Sequence, residues 1–307
     1  MLLTLSPVAF AQPNSPRIGF SHPRTERWVV GVEVQSPGRA AGINATASVP
    51  MPWPEQKVKI VETRKSAHVS AIRYRTIGGG TVRQMVILIP QLNPGETAHA
   101  MVTFDVTRSV TTAPTRTADL VIPAESPAAV RRFLAASPGI ESGDPRIKQL
   151  AQEIQKPGLN DWQQTEAIYD WVRENITYQF DEQLKGARAA LESGKGDCEE
   201  LTSLFVALCR ARGIPARSVW IPGHCYPEFY LHDAAGQGHW FPCQAAGSRA
   251  FGSMPEYRPV LQKGDRIRVP GISQPQRYVY DRLKATSVTA PLNVKFTRQK
   301  VKPLDNP

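Results

Sequence analysis

The sequence predicts an α+β protein in which an N-terminal antiparallel β-sandwich is followed by a helical half and a second antiparallel sheet. In the first third of the chain, apolar and polar residues alternate with the period of two that a half-buried strand requires. From residue 126 the apolar positions recur at helical spacing, and from residue 216 the period returns to two. Strands, then helices, then strands again indicate an α+β arrangement rather than repeated βαβ units.

The predicted β-sandwich domain spans residues 26–110. Turn residues such as the Gly78-Gly79-Gly80 run separate its strands, and this spacing is typical of an immunoglobulin-like sandwich. The candidate strands cover residues 27–35, 56–63, 68–77, 81–92 and 96–110. Residues 111–125 are rich in threonine and proline, so we predict a linker there.

Residues 126–307 are predicted to form one second domain. Ser126 and Asp144 are each followed by proline, the order expected of an N-cap residue before the first helical position. A third helix is predicted to bury one face, formed by Trp162, Ile168, Trp171 and Val172. The next helix begins near Cys198 and ends before Gly213, after which three strands and a tail of further strand-like segments follow.

Composition limits the classes of function. The chain has 307 residues, and its 41% hydrophobic and 21% charged residues are ordinary for a globular protein that buries a core. Its formal net charge of +10 is spread along the chain without the aromatic and basic motifs of nucleic-acid binding. We therefore expect a solvated basic surface and no nucleic-acid partner.

Residues 1–25 are predicted to be a signal-like or flexible N-terminus. Leu2–Phe10 is a short apolar stretch, and Ala9-Phe10-Ala11 has the pattern of an export cleavage site. No segment approaches the ~20 apolar residues of a transmembrane helix. We therefore expect a secreted or periplasmic protein with no integral membrane segment.

All four cysteines lie within one window, at Cys198, Cys209, Cys225 and Cys243. An exported chain permits disulfides among them, but no C-x-x-C occurs and the spacings suit no zinc module, so we expect neither a metal nor a cofactor. Cys209 falls on the apolar stripe of its helix and is predicted to be an inert core thiol. Cys198 lies at the helix start, where free N–H groups and the helix dipole lower a thiol pKa. The neighbouring Glu199 and Glu200 would oppose that effect.

A cysteine nucleophile needs a base, and His224 begins a strand shortly after the helix that carries Cys198. A cysteine at a helix start that faces a histidine on an adjacent sheet, with a third polar side chain to orient the imidazole, is the arrangement of cysteine acyl transfer. His239 is the rival histidine.

From about Asn160 to Gln244 the sequence resembles the transglutaminase-like superfamily, whose members share a papain-like core and a Cys-His-Asp triad. Four motifs in order carry the resemblance. They are WQQTEAIYDWVRENITY, GKGDCEELTSLFVALCRARGIPARSVW, GHCYPEFYL and GHWFPCQ. The resemblance implies a papain-like fold for the second domain.

The resemblance also implies site residues. Cys198 matches the nucleophile and His224 the general base, whereas His239 is not the family histidine. At the third position this chain departs from the family, because Gln244 stands where the family has Asp. A glutamine carbonyl can accept the imidazole N–H and hold the tautomer, but it adds no negative charge. We expect the missing negative charge to affect the reaction rate more than the geometry of the three side chains.

Further expectations concern the neighbours of this triad. Cys225 should point to the face of its strand away from the nucleophile, because successive side chains alternate. Cys225 and Cys243, on neighbouring strands, are candidates for a disulfide. Oxyanion stabilisation would come from the Cys198 N–H and a donor in the segment near Tyr178. Glu228 is expected to be a structural acceptor within its strand.

The residues support three functional interpretations. The first is an exported cysteine peptidase, amidase or transglutaminase that cleaves or exchanges peptide or isopeptide bonds through a thioester on Cys198. Its substrate would be a protein or peptide, with cell-wall peptide among the candidates. The second is a catalytically weakened or inactive binding or scaffold protein, since Gln244 replaces the triad Asp. The third is a secreted protein held together by disulfides, in which Cys198 is only structural. No other cysteine is an obvious disulfide partner for Cys198. The sequence favours the first and leaves the substrate and the oligomeric state open.

Overall fold

The computed structural model describes residues 18–302, so the predicted signal-like stretch Leu2–Phe10 lies outside the described residues. The first six strands are β1 (Gly19–Gln35), β2 (Ala40–Val49), β3 (Gln56–Lys65), β4 (Ala71–Ile77), β5 (Val82–Leu92) and β6 (Thr97–Thr112). The helices are α1 (Ala128–Arg131), α2 (Pro145–Glu153), α3 (Asp161–Asn175), α4 (Ala187–Ser193) and α5 (Cys198–Ala211). The remaining strands are β7 (Thr177–Tyr178), β8 (Lys195–Gly196), β9 (Ala216–Ile221), β10 (His224–His232), β11 (Gly238–Pro242), β12 (Gln262–Lys263), β13 (Arg282–Lys284), β14 (Ser287–Val288) and β15 (Asn293–Val301).

The N-terminal part is an antiparallel β-sandwich, as predicted. One sheet has the strand order β15-β1-β6-β3, and the other contains β4, β5 and β2. Alternate residues of the facing strands form one buried core, which includes Val32, Val102 and Ile87. The sequence prediction missed β2 because its inward positions are filled partly by alanines, which carry a weak apolar signal.

Strand pairing corrects the predicted domain boundaries. β15 pairs with β1 from Arg27↔Val301 to Gln35↔Asn293, and β13 and β14 pair with β2. The assignment of residues 126–307 to one second domain is therefore wrong for residues 282–301, which return to the sandwich. Residues 19–25 belong to β1 rather than to a flexible terminus. Alternation identifies a strand, but it does not identify the strand's partner.

A single nine-stranded sheet joins the two parts of the molecule. Its main path runs β11-β10-β9-β12-β5-β2-β13, and Gln262 of β12 pairs with both Val82 of β5 and Trp220 of β9. The predicted linker is also packed, since Leu120 is fully buried and Val121 pairs with His232. The sandwich and the sheet that carries the candidate site are thus continuous.

Helix α5 is the central element of the second core. Nearly all of its residues are buried, against α2, α3 and α4 on one side and β9 and β10 on the other. Trp162 of α3 packs edge-on against Phe229, Phe241 and Phe251, with ring centroids 4.9–5.5 Å apart. This aromatic cluster ties α3 to the sheet beside α5.

Of the two predicted N-cap residues, Asp144 is confirmed and Ser126 is wrong. Asp144 caps α2 and accepts a hydrogen bond from the N–H of Arg146, which confirms that prediction. The helix predicted after Ser126 is the single turn α1, whose N-cap is Pro127, so Ser126 does not cap it. Within residues 18–302 no helix is both long and apolar enough to cross a membrane.

Candidate active site

The start of α5 is fixed by a capping box. The Asp197 side chain accepts a hydrogen bond from the Glu199 N–H at 2.7 Å, and the Glu200 carboxylate accepts one from the Asp197 N–H at 3.2 Å. A Cβ at Gly196 would lie 2.4 Å from the Glu200 Cβ, so only glycine allows this close approach. As a result, Cys198 is the first residue of the helix.

His224 is placed by a tight hairpin. β9 ends at Ile221 and β10 begins at His224, with these two residues paired across the turn. The turn consists of Pro222 and Gly223, and Gly223 has a φ of 69°, which favours glycine. The hairpin brings the imidazole to the end of the sheet next to the start of α5.

Gln244 completes the group. Its Oε1 lies 2.8 Å from the Nε2 of His224. The Gln244 carbonyl accepts hydrogen bonds from the Tyr169 hydroxyl and from Arg173, each at 2.9 Å, so its backbone is held firmly. Cys198 and His224 also line the same cleft, where the imidazole interacts with the thiol. The structure therefore brings together the three side chains that the sequence singled out.

These side chains line an open cleft of about 530 Å³. The other lining residues are Tyr178, Gly223, Ala246, Gly247 and Arg258. Sequence reasoning missed Arg258, which follows the last recognised motif and belongs to no pattern. It donates to the Pro222 carbonyl at 3.0 Å and pairs with Glu256 at 2.6 Å. Tyr178 belongs to the segment in which an oxyanion donor was expected, and it is 58% exposed.

The contacts of the two reactive groups shift their protonation. Hydrogen bonds from the Cys225 thiol and from His224 outweigh burial and lower the pKa of Cys198 to about 4. Burial opposes protonation of His224, but its hydrogen bonds to Cys198 and Gln244 raise the pKa of the imidazole above its ordinary value. The two shifts together favour a thiolate–imidazolium pair at neutral pH.

The acidic residues beside Cys198 are compensated. Glu199 pairs with Arg277 at 2.7 Å, and the Glu200 carboxylate accepts the Lys185 N–H at 3.0 Å. Burial raises the pKa of Asp197 to about 7, so this carboxyl is partly neutral near physiological pH. The expected repulsion between this acidic cluster and the Cys198 thiolate is thereby reduced. No pattern in the sequence pointed to Arg277.

Cys225 does not point away from the nucleophile, and that prediction is wrong. Its Sγ lies 3.4 Å from the backbone carbonyl oxygen of Cys198, to which it donates. The same face of β10 carries Phe229 and Leu231, which pack in the core around α5. His224 occupies the opposite register position but reaches the thiol from the strand end. All four cysteines are free, so the candidate disulfide between Cys225 and Cys243 is not formed.

The other residues considered from sequence lie elsewhere. Cys209 is fully buried, and burial raises its pKa well above the ordinary value, as expected of a core thiol. His239 bonds to Asp233 at 2.8 Å and lines a separate cavity of about 580 Å³ between the sandwich and the sheet. Glu228 is buried and accepts from Arg217 at 2.8 Å and from Lys263 at 2.6 Å. In the described part of the chain, no three His, Cys, Asp or Glu side chains are grouped to hold a metal ion.

Two substitutions at Gln244 would test its hold on His224. Gln244→Ala removes the acceptor and is expected to lower the pKa of His224 and to slow reactions at Cys198 by roughly 10–100-fold, since a hydrogen bond to a charged group contributes about 1.5–3 kcal/mol. Gln244→Glu keeps the length and adds a charge, so it should raise the pKa of His224. NMR titration of the imidazole and alkylation of Cys198 measure both effects. Wild-type values in both variants would show that Gln244 does not act on His224.

Comparison with known proteins gives consistent matches. Residues 148–245 match the family model described as Transglutaminase-like superfamily. An uncharacterized protein of Haemophilus influenzae is 33% identical over 154 residues, which cover 38% of this chain and 40% of that protein. The chain thus spans well under two thirds of the length of the curated relative it matches.

One solved structure shares the architecture. A candidate cysteine protease from Cytophaga hutchinsonii superposes with a TM-score of 0.61 and 17% identity, covering 95% of both chains. The likeness therefore extends over the sandwich as well as the sheet that carries the site. A candidate protease from Parabacteroides distasonis has a TM-score of 0.26 at 12% identity, over 74% of this chain and 68% of that one, which is too low to inform the fold.

Proposed function

Because residues 148–245 of this chain form a transglutaminase-like domain, we propose that the protein is an exported cysteine-dependent acyl-transfer enzyme that acts on amide bonds. The observation that carries the proposal is the position of His224, which hydrogen-bonds to Gln244 and lines the same cleft as the Cys198 thiol, with which it interacts. Since Gln244 occupies Nε2, the other ring nitrogen is the one available to Cys198. The pair opens directly into the cleft.

The first half-reaction forms a thioester. The Cys198 thiolate attacks the carbonyl carbon of a substrate amide, and the oxygen takes the negative charge. The Cys198 N–H can donate to that oxygen, because the first N–H groups of a helix have no intrahelical acceptor. The imidazolium of His224 then gives its proton to the amide nitrogen as the C–N bond breaks and the amine leaves.

The second half-reaction releases the acyl group. A water or an amine attacks the thioester carbonyl, and His224 takes its proton while the C–S bond breaks and the thiolate returns. Water gives peptidase or amidase activity, and an amine gives transglutaminase activity. The openness of the cleft favours hydrolysis, because solvent water reaches the thioester freely. We propose a protein or peptide substrate, with cell-wall peptide among the candidates.

The alternative is an inactive binding or scaffold protein. It would follow if Gln244 had lost the role of the family Asp. The 2.8 Å contact between Gln244 and His224 speaks against that reading, since a carbonyl oxygen can orient the imidazole without a charge.

Selective alkylation tests the proposed chemistry. Iodoacetamide should label Cys198 at a rate that is half-maximal near pH 4 and flat through neutral pH, because the rate follows the thiolate fraction. In His224→Ala the midpoint should move upward toward that of an ordinary thiol. Cys209 in the same native protein serves as the internal control and should stay unlabelled. A wild-type midpoint above pH 8, or an unchanged midpoint in His224→Ala, would refute the activated thiol.

A further inference from the structure

A second thiol lies against the candidate nucleophile. The Cys225 Sγ donates to the Cys198 carbonyl at 3.4 Å, so its thiol lies beside that of Cys198, with which it interacts. Cys225 is only 2% exposed, whereas Cys198 lines the open cleft. The acyl-transfer steps above assign Cys225 no bond-making role, so a buried thiol beside a reactive one is left without a chemical function.

The other two cysteines are not placed in this way. Cys209 lies eleven residues farther along α5, which is ~16 Å at the rise of an α-helix. The nearest hydrogen-bond acceptor of the Cys243 thiol is the Pro227 carbonyl, at 3.9 Å. Of the three buried cysteines, Cys225 is therefore the one that contacts Cys198.

We propose that Cys198 and Cys225 are a peroxide-responsive pair, in which Cys225 converts an oxidised Cys198 into a reversible disulfide. Cys198, which lines the cleft, meets the oxidant, and the shielded Cys225 resolves the product before a second peroxide arrives. The disulfide blocks the nucleophile and protects it from irreversible oxidation. This chemistry requires Cys198 to be the reactive thiol, so it rests on the proposed function.

The steps balance with hydrogen peroxide as the oxidant. The Cys198 thiolate attacks one peroxide oxygen, the O–O bond breaks, and the hydroxide that leaves takes a proton to give water and Cys198 sulfenic acid. The Cys225 sulfur then attacks the Cys198 sulfur, the S–O bond breaks, and the hydroxyl leaves with the Cys225 proton as water. Two thiols lose two electrons in total, and one peroxide becomes two waters. Bond closure brings the two sulfurs to ~2.05 Å.

Peptide mapping after mild oxidation tests the pair. The full chain is treated with hydrogen peroxide, free thiols are blocked with N-ethylmaleimide, and the protein is digested with trypsin and an enzyme that cleaves after glutamate. Cleavage at Glu200 and Glu228 separates each member of the pair from Cys209 and Cys243. We expect residues 196–200 cross-linked to residues 218–228, with alkylation of Cys198 lost on oxidation and restored by dithiothreitol. Cys243→Ser, a buried cysteine outside the pair, should behave as wild type.

Cys225→Ser should give a different product. Without the resolving thiol, Cys198 is expected to proceed to sulfinic or sulfonic acid, and dithiothreitol should not restore its alkylation. Irreversible oxidation of Cys198 in the wild type, without the cross-link, would overturn the pair. If Cys198 of the untreated wild type alkylates with a midpoint near pH 4, that result leaves the proposed function standing while the redox pair fails. A Cys198 inert to both peroxide and iodoacetamide would refute the two together. The wild-type cross-link decides the question even if Cys225→Ser fails to fold.

Discussion

Replacing Cys198 by alanine is expected to abolish acyl transfer, with a loss of about 10⁴-fold or more, because no other group in the cleft can form the covalent intermediate. Amide-bond turnover is measured with three kinds of substrate: a glutamine-containing protein with an added amine, a peptidoglycan stem peptide and a small-molecule amide. The wild-type activity identifies the substrate class, and the variant is then compared on that substrate.

The matched control is Cys209→Ala on the same helix. Cys209 is fully buried and lies outside the cleft, so this variant should keep the wild-type turnover while losing some stability. Turnover that survives in Cys198→Ala, or that is lost equally in both variants, would contradict a thioester on Cys198. If the wild type turns over none of the three substrates, the result would favour the inactive binding protein.

Glu228→Gln is expected to lower the free energy of unfolding at pH 7 by about 3–5 kcal/mol, because it leaves the buried Arg217 without a counter-charge and leaves Lys263 with Glu55 as its remaining partner. Glu228 bridges Arg217 and Lys263, and all three side chains are at most 10% exposed. Burial favours the neutral carboxyl, but these two cations outweigh it and lower the pKa of Glu228 to about 2. Urea unfolding followed by far-UV circular dichroism measures the change.

The sign of the pH dependence follows from that shift. A depressed carboxyl pKa contributes stability above the unfolded pKa of about 4.3, and the contribution is lost as the pH falls toward 2. The gap between wild type and Glu228→Gln should therefore narrow between pH 5 and pH 2. The matched control is Glu166→Gln, which breaks a partly exposed pair with Arg249 and should cost only about 0–1 kcal/mol. Equal losses in the two variants would show that the buried charges are not coupled.

The sequence predicted the candidate site well because its signals are local. Asp197 caps the helix at Cys198 through contacts within three residues, and the pair Pro222 and Gly223 sets the turn before His224. The interval to Gln244 covers one further hairpin, so a short stretch of chain brings the three side chains together. Family resemblance singled out Gln244 and gave the three residues their expected roles, which the experiments above would test.

The orientation of Cys225 could not be predicted from the local sequence. Alternation along β10 places Cys225 and His224 on opposite faces, but it does not say which face covers α5. His224 is the first residue of β10 and lines the same cleft as Cys198. The inference that Cys225 faced away from Cys198 failed for this reason, and the contact of the Cys225 sulfur with the Cys198 carbonyl was found only in the folded molecule.

The sequence by itself determined the α+β class and the helix start at Cys198, since capping, turns and periodicity act over a few residues. The family resemblance singled out the group of Cys198, His224 and Gln244. Only the tertiary structure decided that β15 pairs with β1 and that β12 joins β5 of the sandwich to β9. It also brought Arg258 into the cleft and Arg277 to Glu199. These pairings connect residues tens to hundreds of positions apart, and they are chosen by burial of whole sheet and helix faces, which no local pattern records.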